Sequence, residues 1–198
     1  MAHAANRVIG ISAVSGGGKT ALTRRLAELL QDSVALYFDD YDESSVIPES
    51  FQSWFEDGAD YEAFETPVFT DHIRSLKAGK AVVYPGGLKI EPAKYIVVDA
   101  PMGRVHSDSG RYIDFMVFIE TPLDIAMARR LSRELALESD RSPAETVAGI
   151  RTDADGYAAR ARPIYTAFVG RLKPTCDLIL DGTKSLDELA SAVISNLV

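Results

Sequence analysis

Eight residues, AVSGGGKT at positions 13–20, constrain this chain more than any other stretch. They approximate G-x-x-x-x-G-K-[ST], a loop whose backbone N–H groups, with the start of the following helix, hold anionic phosphate oxygens. Ala13 stands where the first glycine is usual, and Gly18, Lys19 and Thr20 complete the pattern. The loop has meaning only between a strand and a helix. RVIGISAV (7–14) is apolar and β-branched, which predicts a buried strand. KTALTRRLAELLQD (19–32) places Leu22, Leu26, Leu29 and Leu30 on one helical stripe. Consecutive glycines let the backbone close around a phosphate, and alanine is tolerated at 13 if it keeps a negative φ. The candidate ATP-binding residues are therefore Ser15, Gly16, Gly17, Gly18, Lys19, Thr20 and Ala21. Lys19 is placed for the β- and γ-phosphates and the Thr20 hydroxyl for Mg²⁺. The alternative is a glycine-rich turn carrying a chance lysine.

The rest of the chain supplies the context that such a loop needs. SVALYFDD (33–40) reads as a second strand ending in carboxylates, and residues 41–70 read as an irregular, acidic and aromatic stretch. TDHIRSLKAGK (70–80) predicts a short helix with Thr70 as N-cap and Gly79 at its end. A brief strand AVVY precedes a PGG turn, YIVVDA (95–100) is a third strong strand ending at Asp99, and DFMVFIET (114–121) a fourth. From Leu123 to about Glu138, Met127, Leu131 and Leu135 recur every four residues, and helical pattern continues to Arg171. DLILDG (177–182) and a terminal helix close the chain. Strands alternating with helices predict a parallel sheet covered on both faces. With no linker or repeat, residues 1–198 read as one α/β domain. Asp99, at a strand end, is the candidate carboxylate for Mg²⁺, against a turn or cap role.

Composition narrows the partners. A net charge of −8 argues against nucleic acid, which needs a basic footprint. Asp and Glu recur from Asp39 to Glu65 with no Lys or Arg among them. That stretch reads either as a solvated loop or as an acceptor side that favours a neutral or amine-bearing molecule. No apolar run approaches the ~20 residues of a membrane span, and nothing at the N-terminus looks like a signal peptide. With one cysteine, Cys176, the expectation is a soluble protein of a reducing cytoplasm. GTPase switch motifs are absent: no N-K-x-D occurs, and the third strand continues as DAPMGR rather than D-x-x-G. No base-reading motif distinguishes ATP from GTP, and oligomeric state is not legible.

The phosphate loop, LYFDDYDES, YEAFETPVFTDHIRSLKAGKAVVYP, IVVDAPMGR, FIETPLDIAMARRLSRE and DLILDG follow one another in an order that resembles the uridine kinase and phosphoribulokinase-like P-loop kinases. The resemblance covers nearly the whole chain. It implies a P-loop NTPase fold with five parallel strands, flanking helices and a helical lid. It also implies transfer of the ATP γ-phosphate, with Mg²⁺, to a hydroxyl of a small metabolite, often a nucleoside. Asp39 matches that group's general base, with Asp40 its neighbour and an alternative. Arg129, Arg130 and Arg133 match lid arginines that clamp phosphates. Asp60 corresponds to an acidic residue that binds acceptor hydroxyls, and Trp54, Tyr61 and Phe64 are placed to stack on a ring or to form local core. Tyr84 and Arg104 lie near strand ends within reach of an acceptor, while His72 reads as structural. YPGGLKIEP replaces the group's pyrimidine-reading turn, and DAPMG its glutamate-glycine. The alternatives are a nucleotide or nucleotide-sugar kinase and a regulatory protein that senses nucleotide without turnover.

Overall fold

The computed structural model describes residues 6–136 and 142–197. In chain order the elements begin with strand β1 (Arg7–Ser12), helix α1 (Lys19–Leu29) and strand β2 (Ser33–Tyr37). A 3₁₀ turn (Phe38–Ser44), helices α2 (Phe51–Glu56) and α3 (Pro67–Lys77) and the short strands β3 (Val82–Val83) and β4 (Lys89–Ile90) follow. Then come β5 (Tyr95–Asp99), α4 (Ser107–Gly110), β6 (Phe115–Glu120), α5 (Leu123–Ala136) and α6 (Pro143–Gly156). A π-turn (Tyr157–Ala161) leads into α7 (Arg162–Leu172), β7 (Leu178–Asp181) and α8 (Leu186–Ser195).

Five strands form a parallel sheet in the order β2-β5-β1-β6-β7, as the alternating pattern predicted. The strands are apolar on both faces because helices cover both. On one face α1 and α8 bury Leu22, Leu26, Leu189 and Val193 against Ile9, Val97 and Ile119. On the other, Phe69, Ile73 and Leu76 of α3 pack with Tyr41 against Val8, Ile96 and Met116. β1 lies centrally, so its carboxyl end is where the chain turns to either side, the place where such sheets carry ligands.

Several local expectations are corrected. β2 stops at Tyr37, so Asp39 and Asp40 ride on the 3₁₀ turn rather than ending the strand. α3 starts three residues earlier than Thr70, because Pro67 fits the first helical position and Thr66 occupies the cap. β3 and β4 pair as a small antiparallel hairpin, a second strand that the polar LKIEP sequence concealed. Leu29 is 42% exposed and Leu135 is 62% exposed, so both fall off their stripes, although Leu30 still packs against the core. Among the described side chains of α5 the buried one is Ala126, small enough to sit against the phosphate loop. The expected helix end at Glu138 lies outside the described residues. No helix among the described residues is long and apolar enough to cross a membrane.

Arg104 is corrected most sharply. Its guanidinium donates to Thr175 O, Ile113 O and Asp114 O and pairs with Asp177 at 2.7 Å. These partners precede β6 and β7, at the amino ends of the strands and so away from the phosphate loop, and Arg104 therefore fastens the fold and does not approach an acceptor there. Burial pushes the Asp177 carboxyl up, but the Arg104 bond and the Met116 N–H outweigh it and hold it below the usual carboxylate range. Arg104→Ala is expected to cost about 2 kcal/mol near neutral pH, since hydrogen bonds to charged groups are lost. A carboxyl with a depressed folded pKa stabilises above its unfolded pKa of ~4 and stops doing so as pH falls through the folded value. The stability gap between wild type and variant, followed by thermal melts, is therefore expected to narrow below about pH 4, leaving the share carried by the backbone carbonyls.

Candidate active site

The phosphate loop turns between β1 and α1 as its motif demands. Gly16 and Gly18 have φ of 81° and 102°, a left-handed backbone that aims successive N–H groups inward. Ala13 is absent from the positive-φ residues and is buried at 2% exposure, so the unusual opening residue fits. Its Cβ would stand 2.6 Å from a Cβ on Gly17, which shows why 17 is glycine where 13 is not. The Gly17 N–H donates to Val14 O at 2.8 Å, and the buried Thr121 hydroxyl donates to Gly17 O at 2.9 Å from the end of β6. Sequence pattern did not single out Thr121, since nothing local marks a contact 104 residues away.

Gly16 is the tightest position. A Cβ there would lie 2.3 Å from Ala126 O and 2.9 Å from Arg130 Cγ. Gly16→Ala is expected to lower stability by at least about 2 kcal/mol, combining left-handed strain with overpacking against backbone. It is also expected to weaken nucleotide binding, and a calorimetric melt with and without MgATP checks both.

Lys19, Thr20 and Asp99 converge at the mouth of the loop. Register explains this: Ile11 of β1 lies beside Asp99 of β5, which lies beside Tyr37 of β2. The Thr20 hydroxyl donates to Asp99 Oδ2 at 2.6 Å, and Lys19 Nζ stands 3.3 Å from Oδ1. Asp99 is 1% exposed, and its Oδ1 is buried without a hydrogen-bond partner. Burial pushes the Asp99 carboxyl above the usual range against the pull of Lys19 and Thr20, and the nearby Asp39 carboxylate adds to the rise. A buried carboxylate oxygen with no hydrogen bond, paired only with the Lys19 ammonium and beside a threonine hydroxyl, suits a hard cation that takes oxygen ligands and shares phosphate oxygens, so this donor set fits Mg²⁺. Among the described residues no group of three or more His, Cys, Asp or Glu forms a metal cluster, so the protein would supply only part of the coordination.

Asp39 and Asp40 are both exposed but differ in their partners. Asp39 is close enough to Asp99 to affect its proton affinity. Asp40 accepts a hydrogen bond from the Tyr84 hydroxyl, which in turn accepts one from the Tyr37 N–H at 3.3 Å. Beneath the turn, the buried Tyr41 hydroxyl shares a hydrogen bond with His72 Nδ1 at 2.9 Å. His72 is thus held inside the fold, where burial lowers its pKa.

The remaining candidates separate. Tyr61, 8% exposed, packs edge-on to Trp54 at 5.2 Å between ring centroids and joins Phe64 and Met102 in a small core. It is therefore corrected from acceptor contact to local core. Asp60 caps the short 3₁₀ turn after it by accepting from the Glu62 N–H at 3.0 Å. The arginines of α5 diverge. Arg129 donates to Gly182 O at 3.1 Å in the loop after β7, whereas Arg130 packs on Gly16 and pairs with Asp153 of α6 at 2.8 Å. Arg133 is exposed one turn further along α5. Of the three, Arg130 is the one in direct contact with the phosphate loop.

No family model matches the chain. It is 25% identical over 186 residues to the uridine kinase of Borrelia turicatae, with 88% of this chain and 85% of that protein covered. It is 29% identical over 197 residues to the uridine kinase of Leuconostoc citreum, with 87% and 86% covered. In fold it is similar to the structure of a possible uridine kinase from Bacillus stearothermophilus, with a TM-score of 0.56, 16% identity and 91% of each chain covered. The chain is thus similar in sequence to uridine kinases, at 25–29% identity over most of its length, and similar in fold to a possible uridine kinase.

Proposed function

We propose that this protein is an ATP- and Mg²⁺-dependent kinase that moves the γ-phosphoryl group to a hydroxyl of a small metabolite, with residues 1–198 acting as one domain in the cytoplasm. The observation that carries the reading is the convergence of Lys19, Thr20 and the buried Asp99 at the phosphate loop, with Asp39 beside them. The backbone of residues 15–18 would hold the phosphates, and the Lys19 ammonium would neutralise charge on the β- and γ-oxygens. Thr20 and Asp99 would hold Mg²⁺, which supplies charge neutralisation on the phosphate oxygens when bound. Arg130, already against Gly16, would exchange Asp153 for phosphate oxygens as the helices close.

Asp39 would take the proton of the acceptor hydroxyl as that oxygen forms its bond to phosphorus and the bond to the leaving oxygen of ADP breaks. Asp40 is the weaker candidate base, because its carboxylate already accepts a hydrogen bond from Tyr84. The acceptor meets the protein on the 39–65 side, whose acidity supports a partner other than nucleic acid. The test is ADP release from MgATP with pooled nucleosides, sugars, vitamins and amino alcohols. Stimulation toward about 1–100 s⁻¹ by one pool supports the reading; MgATP binding with no stimulation across a widened library overturns it in favour of a nucleotide sensor.

A further inference from the structure

A cavity of about 900 Å³ opens between the start of α2 and the inner faces of α5, α6 and α7. Its size suits a molecule as large as a nucleoside or a nucleotide. Arg130 lines it and also packs on Gly16, so the cavity adjoins the phosphate loop. Phe51, Tyr157 and Tyr165 give it aromatic walls, the two tyrosines lying 6.2 Å apart at 45°. From the α2 side it is lined by Ser50, Phe51 and Gln52, none of them charged, so the acidity of the 39–65 stretch does not reach this wall.

The charges on the opposite wall are unequal. Arg130 is matched by Asp153, which accepts two of its hydrogen bonds at 2.8 and 3.0 Å, and the Tyr165 hydroxyl accepts a third at 3.2 Å. Arg160 also lines the cavity, and among the described residues its exposed guanidinium has no ion pair or hydrogen bond. It is carried by the π-turn Tyr157–Ala161, a wide turn of a kind frequent at functional sites. Gly156 immediately precedes that turn. A Cβ there would stand 3.2 Å from Arg160 Nη2, so the missing side chain lets the guanidinium lie back against the helix at the cavity wall.

We propose that this cavity binds the acceptor and that Arg160 reads an acid group on it, so that the acceptor is a ring-bearing hydroxyl compound carrying a carboxylate or a phosphate. The proposal rests on the kinase reading above and revises the expectation of a neutral or amine-bearing acceptor. A planar ring would lie among the three aromatic side chains. An acid group would meet the unpaired guanidinium in charge-assisted, fork-like hydrogen bonds, about twice as strong as neutral ones. A neutral acceptor would leave Arg160 without a function in the cavity.

The test is calorimetric titration of the whole protein, loaded with Mg²⁺ and a non-hydrolysable ATP analogue so that the phosphate loop is filled. Three ligands that share a free 5′-hydroxyl serve as probes: uridine, orotidine for a carboxylate, and uridine 3′-monophosphate for a phosphate. At least one acid is expected to bind 10-fold or more tightly than uridine, and which one does so identifies the acid group. Arg160→Gln is expected to erase that preference, and Gly156→Ala, which shifts the flexible guanidinium by only a few tenths of an ångström, to change it far less. Circular dichroism melts confirm that both variants fold. Equal affinity for all three probes, no binding of any, or a preference that survives Arg160→Gln overturns the proposal. Failure of the kinase reading looks different: the acid is still preferred in the titration, but ADP release never responds to it.

Discussion

Asp39→Asn is expected to lower acceptor-stimulated ADP release by about 10²–10⁴-fold, the usual worth of a positioned general base. Binding of MgATP is expected to stay within about twofold, because phosphate and metal are held by the loop, Lys19, Thr20 and Asp99 rather than by Asp39. The change also removes the carboxylate whose proximity raises the Asp99 pKa, so Asp99 holds its charge somewhat more easily in the variant. Asp40→Asn provides the contrast. Asp40 is tied to Tyr84 across 44 residues, so its loss is expected to be far milder and to act through the placement of the turn. Steady-state ADP release and calorimetric MgATP titration measure the two quantities separately. Equal losses from both substitutions would remove Asp39 from the role of base.

The second large effect belongs to Lys19→Ala, which acts on both nucleotide and fold. Loss of the ammonium is expected to weaken MgATP by about 10²-fold, in line with hydrogen bonds to charged groups worth up to about 3 kcal/mol. It also strips Asp99 of its only nearby cation among the described salt bridges, with Asp99 Oδ1 already without a hydrogen bond. Breaking a buried pair costs up to about 3–5 kcal/mol, and uptake of a proton by Asp99 sets the actual loss below that limit. The pH dependence has a definite sign. A carboxyl with a raised folded pKa binds its proton more tightly when folded, so stability declines as pH rises from the unfolded pKa of ~4 through the folded one. The deficit of the variant in thermal melts is therefore expected to be greatest near pH 7 and to shrink as pH falls toward 4. A deficit that does not vary with pH would mean that Asp99 does not carry the cost.

These two expectations rest on residues found by a short motif and a strand end, and they mark how far sequence reading reached into the site. Lys19 and Thr20 stand beside Asp99 because parallel pairing brings Ile11 level with Asp99, which follows once both segments are strands. Asp39 arrives by the same register, two residues beyond Tyr37, although a 3₁₀ turn rather than the strand carries it. The aromatic stretch was legible as chemistry but not as placement. Nothing in YEAFE shows that Tyr61 turns inward on Trp54 and Met102.

By itself the sequence determined the parallel α/β class, the phosphate loop and the alternation of strand and helix. These depend on residue periodicity and on contacts within a few positions, and such information is local. Only the tertiary structure decided which partner each polar side chain takes. Arg104 pairs with Asp177 at the amino ends of the strands, Arg130 faces Gly16 while Arg129 turns to Gly182, and Arg160 comes to line a cavity beneath α2. Each of those choices is made across tens of residues by how sheet and helices pack. Helical spacing puts Arg129 and Arg133 on one face of α5, and packing alone settles what that face meets.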